Sequence, residues 1–194
     1  MRLLIGSGNL DKVSEYRQIL AGLDLELVAP SDLDPVPTEP AEDAPSFEEN
    51  ARSKALGYAR ATGLITLADD SGLEVDALRG APGVRSRRFF GEDATAGERN
   101  AALLALLDGV VDRRARFVCV AVLAFPDGRA ESFRGECPGA IGQAGRGTNG
   151  FGYDPVFVLA DGRTMGELPP LEKHRLSHRG RTGELVRARL ARRR

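Results

Sequence analysis

The sequence predicts an α/β domain built around a mixed β-sheet. Short apolar runs alternate with helical patterns in the first half of the chain, and a longer β-like run followed by a turn predicts a hairpin in the second half. Of the 194 residues, 42% are hydrophobic and 28% are charged, which is ordinary for a globular protein. Because no repeat or linker divides the chain, we expect one domain over residues 1–194.

The first elements follow the order strand, turn, helix and strand. Residues 3–5 form an apolar run that predicts a strand, and the small residues 6–9 close it. Apolar side chains then recur at helical spacing as far as Leu20. A second strand is expected at residues 26–28, and the proline-rich residues 30–45 predict a long loop, a length at which loops are often functional.

Two capping boxes predict where the next helices begin. In each box a hydroxyl residue precedes a glutamate by three positions, as in Ser46 with Glu49 and Thr95 with Glu98. The hydroxyl accepts a backbone N–H of the first turn, and the glutamate reaches back to the capping residue. The helices are expected over residues 46–61 and 95–107.

The second half of the chain contains the longest β-like run, at residues 116–125. The turn signal Pro-Asp-Gly follows it, and residues 129–137 complete a predicted hairpin. The two cysteines, Cys119 and Cys137, lie in apolar or turn-like contexts without CxxC spacing. We therefore expect buried thiols and neither a disulfide nor a zinc site.

The charge is unevenly distributed along the chain. Residues 173–194 hold nine Lys and Arg against one acid, whereas the remaining residues hold 18 basic and 27 acidic side chains, a net charge of −9. This basic end, where Ser177 is placed to cap a last helix, is consistent with an anion-binding segment and with a solvated amphipathic helix. The chain reaches a turn too early for a signal peptide and has no run of 18 apolar residues. We expect a cytoplasmic protein without a membrane span.

Residues 7–12, Ser-Gly-Asn-Leu-Asp-Lys, lie where the first strand ends and a helix begins. Small residues let backbone amides approach an anion, the helix N-terminus adds partial positive charge, and Lys12 adds a full charge. The segment therefore has the outline of a phosphate cradle, although the GxxxxGK[ST] spacing of a P-loop is absent. Taken alone, the pattern favours an ordinary turn between strand and helix.

Asp69 and Asp70 follow an apolar run at residues 64–68 that predicts a buried strand. Two adjacent carboxylates are costly to bury unless a cation or hydrogen bonds compensate them. Magnesium binds one or two carboxylates together with phosphate oxygens and water, and ligands bind at the carboxyl ends of strands in open α/β sheets. We therefore favour a Mg²⁺ site over an acidic turn capped by Ser71 and Gly72.

Three further groups of polar or aromatic residues are candidates. Asn50 and Lys54 share one helix face and follow the loop acids Glu42 and Asp43, although a solvated helix face has the same pattern. Residues 148–155 place glycines beside two aromatics, which is typical of a shaped loop whose Phe can stack on a nucleobase, or of a bulged hairpin whose aromatics fill the core.

The third group opens the basic end, where Lys173, His178 and Arg179 are close in sequence. His174 and His178 are the only histidines, and their spacing of four residues suggests a metal pair. No thiol or third ligand is spaced to complete such a site, and the surroundings are cationic. We therefore expect no zinc here.

Six segments occur in the order typical of one family. They are SGNLDK (7–12), SFEENARSKA (46–55), ADDSGLEVDAL (68–78), GAPGVRSRRF (80–89), GFGYDPVF (150–157) and SHRG (177–180). Each motif is weak alone, but six in order over nearly the whole chain are specific. The chain resembles the inosine triphosphate pyrophosphatase family, the dITP/XTP or non-standard purine nucleotide pyrophosphatases, which hydrolyse deaminated purine nucleoside triphosphates to the monophosphate and pyrophosphate.

The resemblance implies a role for each matching residue. Asp70 matches the general base and magnesium ligand, Asp69 its acidic neighbour, and Glu42 the loop carboxylate near the metal. The triphosphate would be bound by Ser7, Gly8, Asn9, Leu10, Asp11, Lys12, Asn50, Lys54 and Ser71. The base pocket would consist of Phe151, Gly152, Tyr153, Asp154, Lys173, His178 and Arg179.

The resemblance also implies an elongated α/β fold, with a long mixed sheet flanked by helices and two lobes around a central cleft, as in the related Maf-like proteins. It further implies a Mg²⁺ cofactor, a purine nucleoside triphosphate substrate and a homodimer. The chain departs from the family at Arg85 and Arg87, where Tyr and Ala are common, and at Arg181-Thr182, where Gln-Ala or similar is usual. These departures concern the dimer surface and loop packing, not the carboxylates.

There are two alternatives, a closely related pyrophosphatase and a protein of another functional class. A Maf-like pyrophosphatase would act on pyrimidine or modified nucleotides, but residues 150–157 and 177–180 favour the purine enzymes. A non-catalytic RNA-binding protein would use the basic C-terminus, but the net charge of −9 elsewhere argues against an extended phosphate-binding face. We therefore predict a magnesium-dependent pyrophosphatase that removes ITP, dITP and XTP from the nucleotide pool and binds neither nucleic acid nor membrane.

Overall fold

The computed structural model describes residues 1–192, which form strands, α-helices and short 3-10 turns. The strands are β1 (Arg2–Ile5), β2 (Glu26–Val28), β3 (Ile65–Val75), β4 (Arg114–Ala124), β5 (Ala130–Ile141) and β6 (Phe157–Val158). The α-helices are α1 (Leu10–Ile19), α2 (Phe47–Thr62), α3 (Ala96–Leu106), α4 (Pro170–Leu176) and α5 (His178–Ala191).

The strands form one sheet in the order β2-β1-β3-β4-β5-β6. Strand β1 pairs in parallel with β2 and β3, whereas β5 and β6 are antiparallel. The predicted hairpin joins β4 to β5, and its turn is closed by the Phe125 N–H, which donates to the Arg129 carbonyl at 2.9 Å. The mixed α/β class predicted from the sequence is therefore confirmed.

Local hydrogen bonds explain where α2 and α3 begin. The Ser46 hydroxyl accepts the Glu49 N–H at 3.2 Å, and the Thr95 hydroxyl accepts the Glu98 N–H at 3.2 Å. Helix α2 ends at Gly63, whose φ of 68° is a left-handed conformation that glycine adopts without strain. The capping box at Thr95 is confirmed. Ser46 is confirmed as the cap of α2, and its hydroxyl donates to the Glu49 carboxylate at 2.8 Å.

Strand β3 is longer than predicted, and this changes the setting of the acidic residues. The sequence indicated a strand that ends at residue 68, before the two acids, but β3 continues to Val75. Asp69 and Asp70 are therefore inside the strand and buried, so the predicted end of the strand is wrong, and the acidic turn that was the alternative to a Mg²⁺ site does not form. The strand continues because partners from elsewhere in the chain compensate the carboxylates, and because Leu73 and Val75 are buried beyond them.

The chain forms two compact units, each with its own core. Unit 1 comprises Met1–Asp70, Cys119–Gly135 and the residues from Gly180 onward, and unit 2 comprises Ser71–Val118 and Glu136–Arg179. The core of unit 1 includes Leu3, Ile5, Val13, Tyr16, Leu20, Leu67, Leu123 and Val186. The core of unit 2 includes Leu73, Leu103, Leu107, Phe117, Tyr153, Phe157, Met165 and Leu168. The prediction of one domain stays a prediction.

Two further sequence predictions concern burial and membrane association. Cys119 and Cys137 are both buried, as expected from their apolar or turn-like contexts. Over residues 1–192, no helix combines the length and the apolar composition that a membrane crossing requires.

Candidate active site

The turn between β1 and α1 places residues 7–12 where the sequence predicted them. Asn9 caps α1, because its side-chain oxygen accepts the backbone N–H groups of Asp11 at 2.9 Å and Lys12 at 3.3 Å. The Leu10 side chain is exposed. The amides of Asp11 and Lys12 therefore already have an acceptor within the chain.

The backbone amides of Gly8 and Asn9 also have acceptors within the chain. The Ser7 hydroxyl accepts the Asn9 N–H at 3.2 Å, and the exposed Glu39 carboxylate accepts the Gly8 N–H at 3.3 Å. An anion that binds the Gly8 amide must displace Glu39. The sequence did not indicate Glu39, because no pattern in the proline-rich loop marks which acid folds back onto the turn.

Asp69 is buried, with 1% of its surface exposed, and has polar partners in unit 1. Lys12 Nζ lies 3.3 Å from Asp69 Oδ2 and 3.4 Å from the Asp69 carbonyl oxygen. The Cys119 thiol donates to the same Oδ2 with a donor–acceptor distance of 3.4 Å. Sequence reasoning missed Cys119 because it lies in an apolar strand with no polar signal.

Asp70 is 8% exposed and is oriented by Asn50. The Asn50 amide nitrogen donates to Asp70 Oδ2 at 2.9 Å, and the Asn50 amide oxygen accepts the Ala44 N–H at 2.9 Å. Burial raises the pKa of Asp70 above its ordinary value, although the Lys12 charge and the Asn50 hydrogen bond oppose the shift. A raised pKa makes Asp70 a stronger base than an exposed aspartate.

Lys54 is a buried cation of unit 1. Its ammonium group is paired with Glu42, whose side chain is 38% exposed while that of Lys54 is 2% exposed. Burial lowers the pKa of Lys54, but the charges of Glu42, Asp69 and Asp70 outweigh it, and the pKa lies above its ordinary value. Lys54 is therefore a fixed positive charge at neutral pH. The carboxylate cluster consists of Lys12, Glu42, Asn50, Lys54, Asp69 and Asp70.

The predicted metal ligands are not assembled as a set. Residues 1–192 contain no group of three or more His, Cys, Asp or Glu side chains that could hold a metal ion. Glu42 is paired with Lys54 and Asp69 with Lys12, so protein cations compensate two of the three carboxylates. The donor chemistry still suits Mg²⁺, which needs only one or two carboxylates when phosphate oxygens complete its shell.

In unit 2, residues 150–154 form the shaped loop that the glycines indicated. Gly150 and Gly152 have φ values of 73° and 64°, so Phe151 lies between two left-handed residues. The Phe151 N–H donates to Asp154 Oδ2 at 2.8 Å. A Cβ atom at Gly150 would collide with the Asp154 carboxylate, which excludes larger residues there.

Two cations lie against the Phe151 ring. Lys173 Nζ is 4.7 Å and Arg179 Cζ 5.5 Å from the ring centroid, within the range of cation–π contacts. Lys173 also pairs with Asp154 at 2.7 Å, and both side chains are 4% exposed. The Arg179 guanidinium donates to the Ser71 hydroxyl at 2.7 Å. The aromatic cluster consists of Phe151, Asp154, Lys173 and Arg179.

The remaining residues of the predicted base pocket pack in the core of unit 2. The His178 ring stacks on Phe117 with a centroid distance of 4.7 Å. The Tyr153 hydroxyl donates to the Ser86 carbonyl at 2.8 Å, and burial raises the pKa of Tyr153 to about 12. A donor that the sequence did not indicate also contacts the loop, since the Asn100 amide donates to the Gly152 carbonyl at 3.1 Å.

Arginines of the basic C-terminal segment contact the chain itself. Arg187 donates to the carbonyls of Ile19 at 3.0 Å and Ala21 at 2.6 Å, and Arg189 is paired with Glu131. These contacts fix α5 within unit 1. They favour the amphipathic-helix interpretation of the basic end over a dedicated anion-binding segment.

Comparisons with known proteins agree on one family. The profile of the Ham1 family matches residues 3–188. A dITP/XTP pyrophosphatase of Deinococcus deserti is 49% identical over 182 residues, which is 93% of this chain and 85% of that protein. A dITP/XTP pyrophosphatase of Symbiobacterium thermophilum is 49% identical over 183 residues, covering 93% of this chain and 90% of that protein.

The fold is also similar to solved structures. A HAM1 protein from Coxiella burnetii superposes with a TM-score of 0.89 at 36% identity, and the match covers 99% of each chain. Similarity of this extent includes every segment that carries a predicted site residue.

Proposed function

Because this chain belongs to the Ham1 family, we propose that it hydrolyses the deaminated purine nucleotides dITP, ITP and XTP to their monophosphates and pyrophosphate. The observation that carries the proposal is its near-full-length similarity to proteins named dITP/XTP pyrophosphatase. The carboxylate cluster supplies groups suited to phosphate chemistry, and the aromatic cluster supplies groups suited to a purine base.

Asp70 is the proposed general base. Its carboxylate orients a water molecule and takes up a proton as the water attacks the α-phosphorus. The raised pKa of Asp70 favours this proton transfer. The hydrogen bond from the Asn50 amide fixes the orientation of the Asp70 carboxylate. No covalent nucleophile is needed, and Ser71, which accepts a hydrogen bond from Arg179, suits a ligand role.

Lys12 and Lys54 are the proposed polyphosphate ligands, together with residues 7–12. Each lysine is paired with a carboxylate. Phosphate oxygens then compete with Asp69 and Glu42 for the two ammonium groups. The lysine charges offset the negative charge that develops on the leaving pyrophosphate.

We also propose that the enzyme uses Mg²⁺. Asp70, with Glu42 or Asp69 released from its lysine, would hold the ion. Bound there, Mg²⁺ would supply positive charge to the phosphate oxygens. A buried carboxylate with a raised pKa is a group that a cation stabilises, which supports the assignment of Asp70 as a ligand.

The aromatic cluster is the proposed base site. Inosine and xanthosine present an acceptor at position 6 and a proton on N1, whereas adenosine presents an amino donor and an unprotonated N1. Lys173, His178 or Arg179 supplies the donor, and Asp154 or a loop carbonyl supplies the acceptor. Phe151 provides a stacking face, which does not depend on the edge of the base.

Pyrophosphate release from ITP, dITP, XTP, ATP and dTTP tests the proposal. Two mismatched buried groups against adenine predict a kcat/KM for the deaminated purines roughly 10² to 10⁴ times that for ATP. EDTA should stop the reaction. A preference for dTTP would instead favour a Maf-like activity, and RNA binding without hydrolysis would favour the non-catalytic alternative.

We further propose, from the family resemblance, that the protein is a cytoplasmic homodimer with no nucleic-acid or membrane partner. The contacts of Arg187 and Arg189 with their own chain support the absence of an extended nucleic-acid surface. Sedimentation equilibrium of the purified protein should give twice the chain mass of 20.8 kDa. A mass of one chain would contradict the dimer.

A further inference from the structure

The direction of the Phe151 ring depends on how its loop is held. Phe151 lies between Gly150 and Gly152, whose φ values of 73° and 64° place both residues in the left-handed region. Glycine has no side chain that could fix this backbone, and it has more conformational freedom than any other residue. The loop therefore needs contacts from other elements to keep one orientation.

One such contact comes from helix α3. The side-chain amide of Asn100 donates to the Gly152 carbonyl at 3.1 Å, across 52 positions of the sequence. Helix α3 is a rigid support, because its first turn is fixed by the Thr95 and Glu98 capping box and Leu103 is fully buried in the core of unit 2. Asn100 thus connects a fixed helix to the residue that follows Phe151.

The oxygen atom of the Asn100 side-chain amide is in an unusual environment. Its Oδ1 atom is buried and has no hydrogen-bond partner among residues 1–192. Burying an amide oxygen without a partner is unfavourable, so packing alone would favour an apolar side chain of the same shape, such as leucine. The presence of an amide is explained by the single hydrogen bond that its nitrogen gives to Gly152.

We propose that Asn100 is a positioning residue that fixes the Phe151 ring for stacking on the purine base. The inference rests on the proposed function, because it takes the Phe151 loop as the base site. Asn100 acts through the Gly152 carbonyl and touches neither the phosphates nor the reacting atoms. Its loss therefore weakens interactions with the base and leaves interactions with the phosphates unchanged.

The test compares Asn100→Leu, which keeps the shape but removes the donor, with Ala101→Leu, which adds the same side chain at the exposed neighbouring position. Calorimetry gives the dissociation constants of inosine monophosphate and of tripolyphosphate, which has no base. Kinetics with ITP separates KM from kcat. We expect Asn100→Leu to raise the dissociation constant of inosine monophosphate and the KM for ITP about 3- to 10-fold, the loss expected for one neutral hydrogen bond.

The same variant should bind tripolyphosphate like the wild type and keep kcat within about a factor of two. Ala101→Leu should change none of these values. Equal weakening of tripolyphosphate and inosine monophosphate would overturn the proposal, because it would show a general structural role. Unchanged inosine monophosphate binding and KM would also overturn it.

Thermal unfolding of each variant and a second substitution, Asn100→Ala, keep the test decisive. If neither variant shows a cooperative transition, Asn100 is required for folding and the positioning role is wrong. A wild-type protein that neither hydrolyses ITP nor binds inosine monophosphate would overturn the proposed function itself. If the wild type and the Asn100→Leu variant hydrolyse ITP and bind inosine monophosphate equally well, only the role of Asn100 is overturned.

Discussion

The carboxylate cluster of unit 1 and the aromatic cluster of unit 2 each contain a buried lysine paired with a carboxylate, but the pairs differ in their exposure. Lys54 is 2% exposed, while its partner Glu42 comes from a loop and is 38% exposed. Lys173 and Asp154 are both only 4% exposed. The first pair can therefore open at the cost of solvating Glu42, whereas opening the second would leave two charges in a dry environment.

The two clusters also differ in the sign of their charge. The carboxylate cluster combines three carboxylates with two lysines, and the aromatic cluster combines one carboxylate with two cations around a phenyl ring. An excess of negative charge suits a divalent cation with its phosphate ligands, and an excess of donors suits the acceptor-rich edge of a deaminated purine. We infer that the first cluster changes partners during the reaction and that the second keeps its geometry.

The largest expected effect is the loss of activity in Asp70→Asn. The amide keeps the shape of the side chain but removes its charge and its proton affinity. Loss of a general base lowers kcat by roughly 10² to 10⁴, and loss of a metal ligand adds to this. Initial rates of pyrophosphate release from ITP measure the effect, with the exposed Asp24→Asn as the matched control. A folded Asp70→Asn variant with near-normal rates would remove Asp70 from the mechanism.

The second-largest expected effect is a difference in the free energy of unfolding between variants of the two lysine–carboxylate pairs. Lys173→Met leaves the Asp154 carboxylate buried without its ion pair, which costs about 3–5 kcal/mol. Lys54→Met should cost less, because water reaches the half-exposed Glu42. Urea unfolding of both variants measures the difference. If Lys54→Met were the more destabilising of the two, the Lys54–Glu42 pair would not be the one that opens more readily.

A smaller effect is expected for Tyr153→Phe, which removes one buried hydrogen bond from the loop of the aromatic cluster. The hydroxyl donates to the Ser86 carbonyl at 2.8 Å, so its removal should lower the free energy of unfolding by about 1 kcal/mol. The ring itself stays in the core of unit 2, so the loop geometry should persist. Chemical unfolding measures the change, and an unchanged free energy of unfolding would show that the hydroxyl does not stabilise the fold.

The smallest expected effect is a pH-dependent gain in the stability of the Asp70→Asn variant. Because the pKa of Asp70 is raised in the folded protein, its ionised form lowers the free energy of unfolding at neutral pH. As the pH falls through the folded-state pKa, the carboxyl group takes up a proton and this penalty disappears. Asp70→Asn should therefore be at least as stable as the wild type at pH 7, and its advantage should shrink in acid. A variant that is less stable than the wild type at pH 7 would contradict the raised pKa.

Local signals in the sequence predicted the ends of helices better than the environment of the acids. The helix caps at Ser46 and Thr95 depend on residues three positions away, so the sequence alone locates them. The length of β3 depends on Lys12 and Asn50, which are distant in sequence and compensate Asp69 and Asp70. A buried strand can continue through two acids only when such partners exist, and no local pattern reports them.

The same distinction applies to the candidate site. The residue types at 7–12, 69–72 and 150–154 were visible in the sequence because their composition is unusual for a strand or helix. Glu39 and Asn100 were not visible, because an acid in a loop and an amide on a helix are ordinary residues. Only the folded chain shows that one reaches the Gly8 amide and the other the Gly152 carbonyl.

Hydrolysis in water labelled with oxygen-18 identifies the phosphorus atom that is attacked. We propose that a water molecule, oriented by Asp70, attacks the α-phosphorus of the deaminated purine nucleotide. Mass spectrometry of the products should then find the label in the monophosphate and none in the pyrophosphate. Label in the pyrophosphate, or release of orthophosphate, would contradict attack of water at the α-phosphorus.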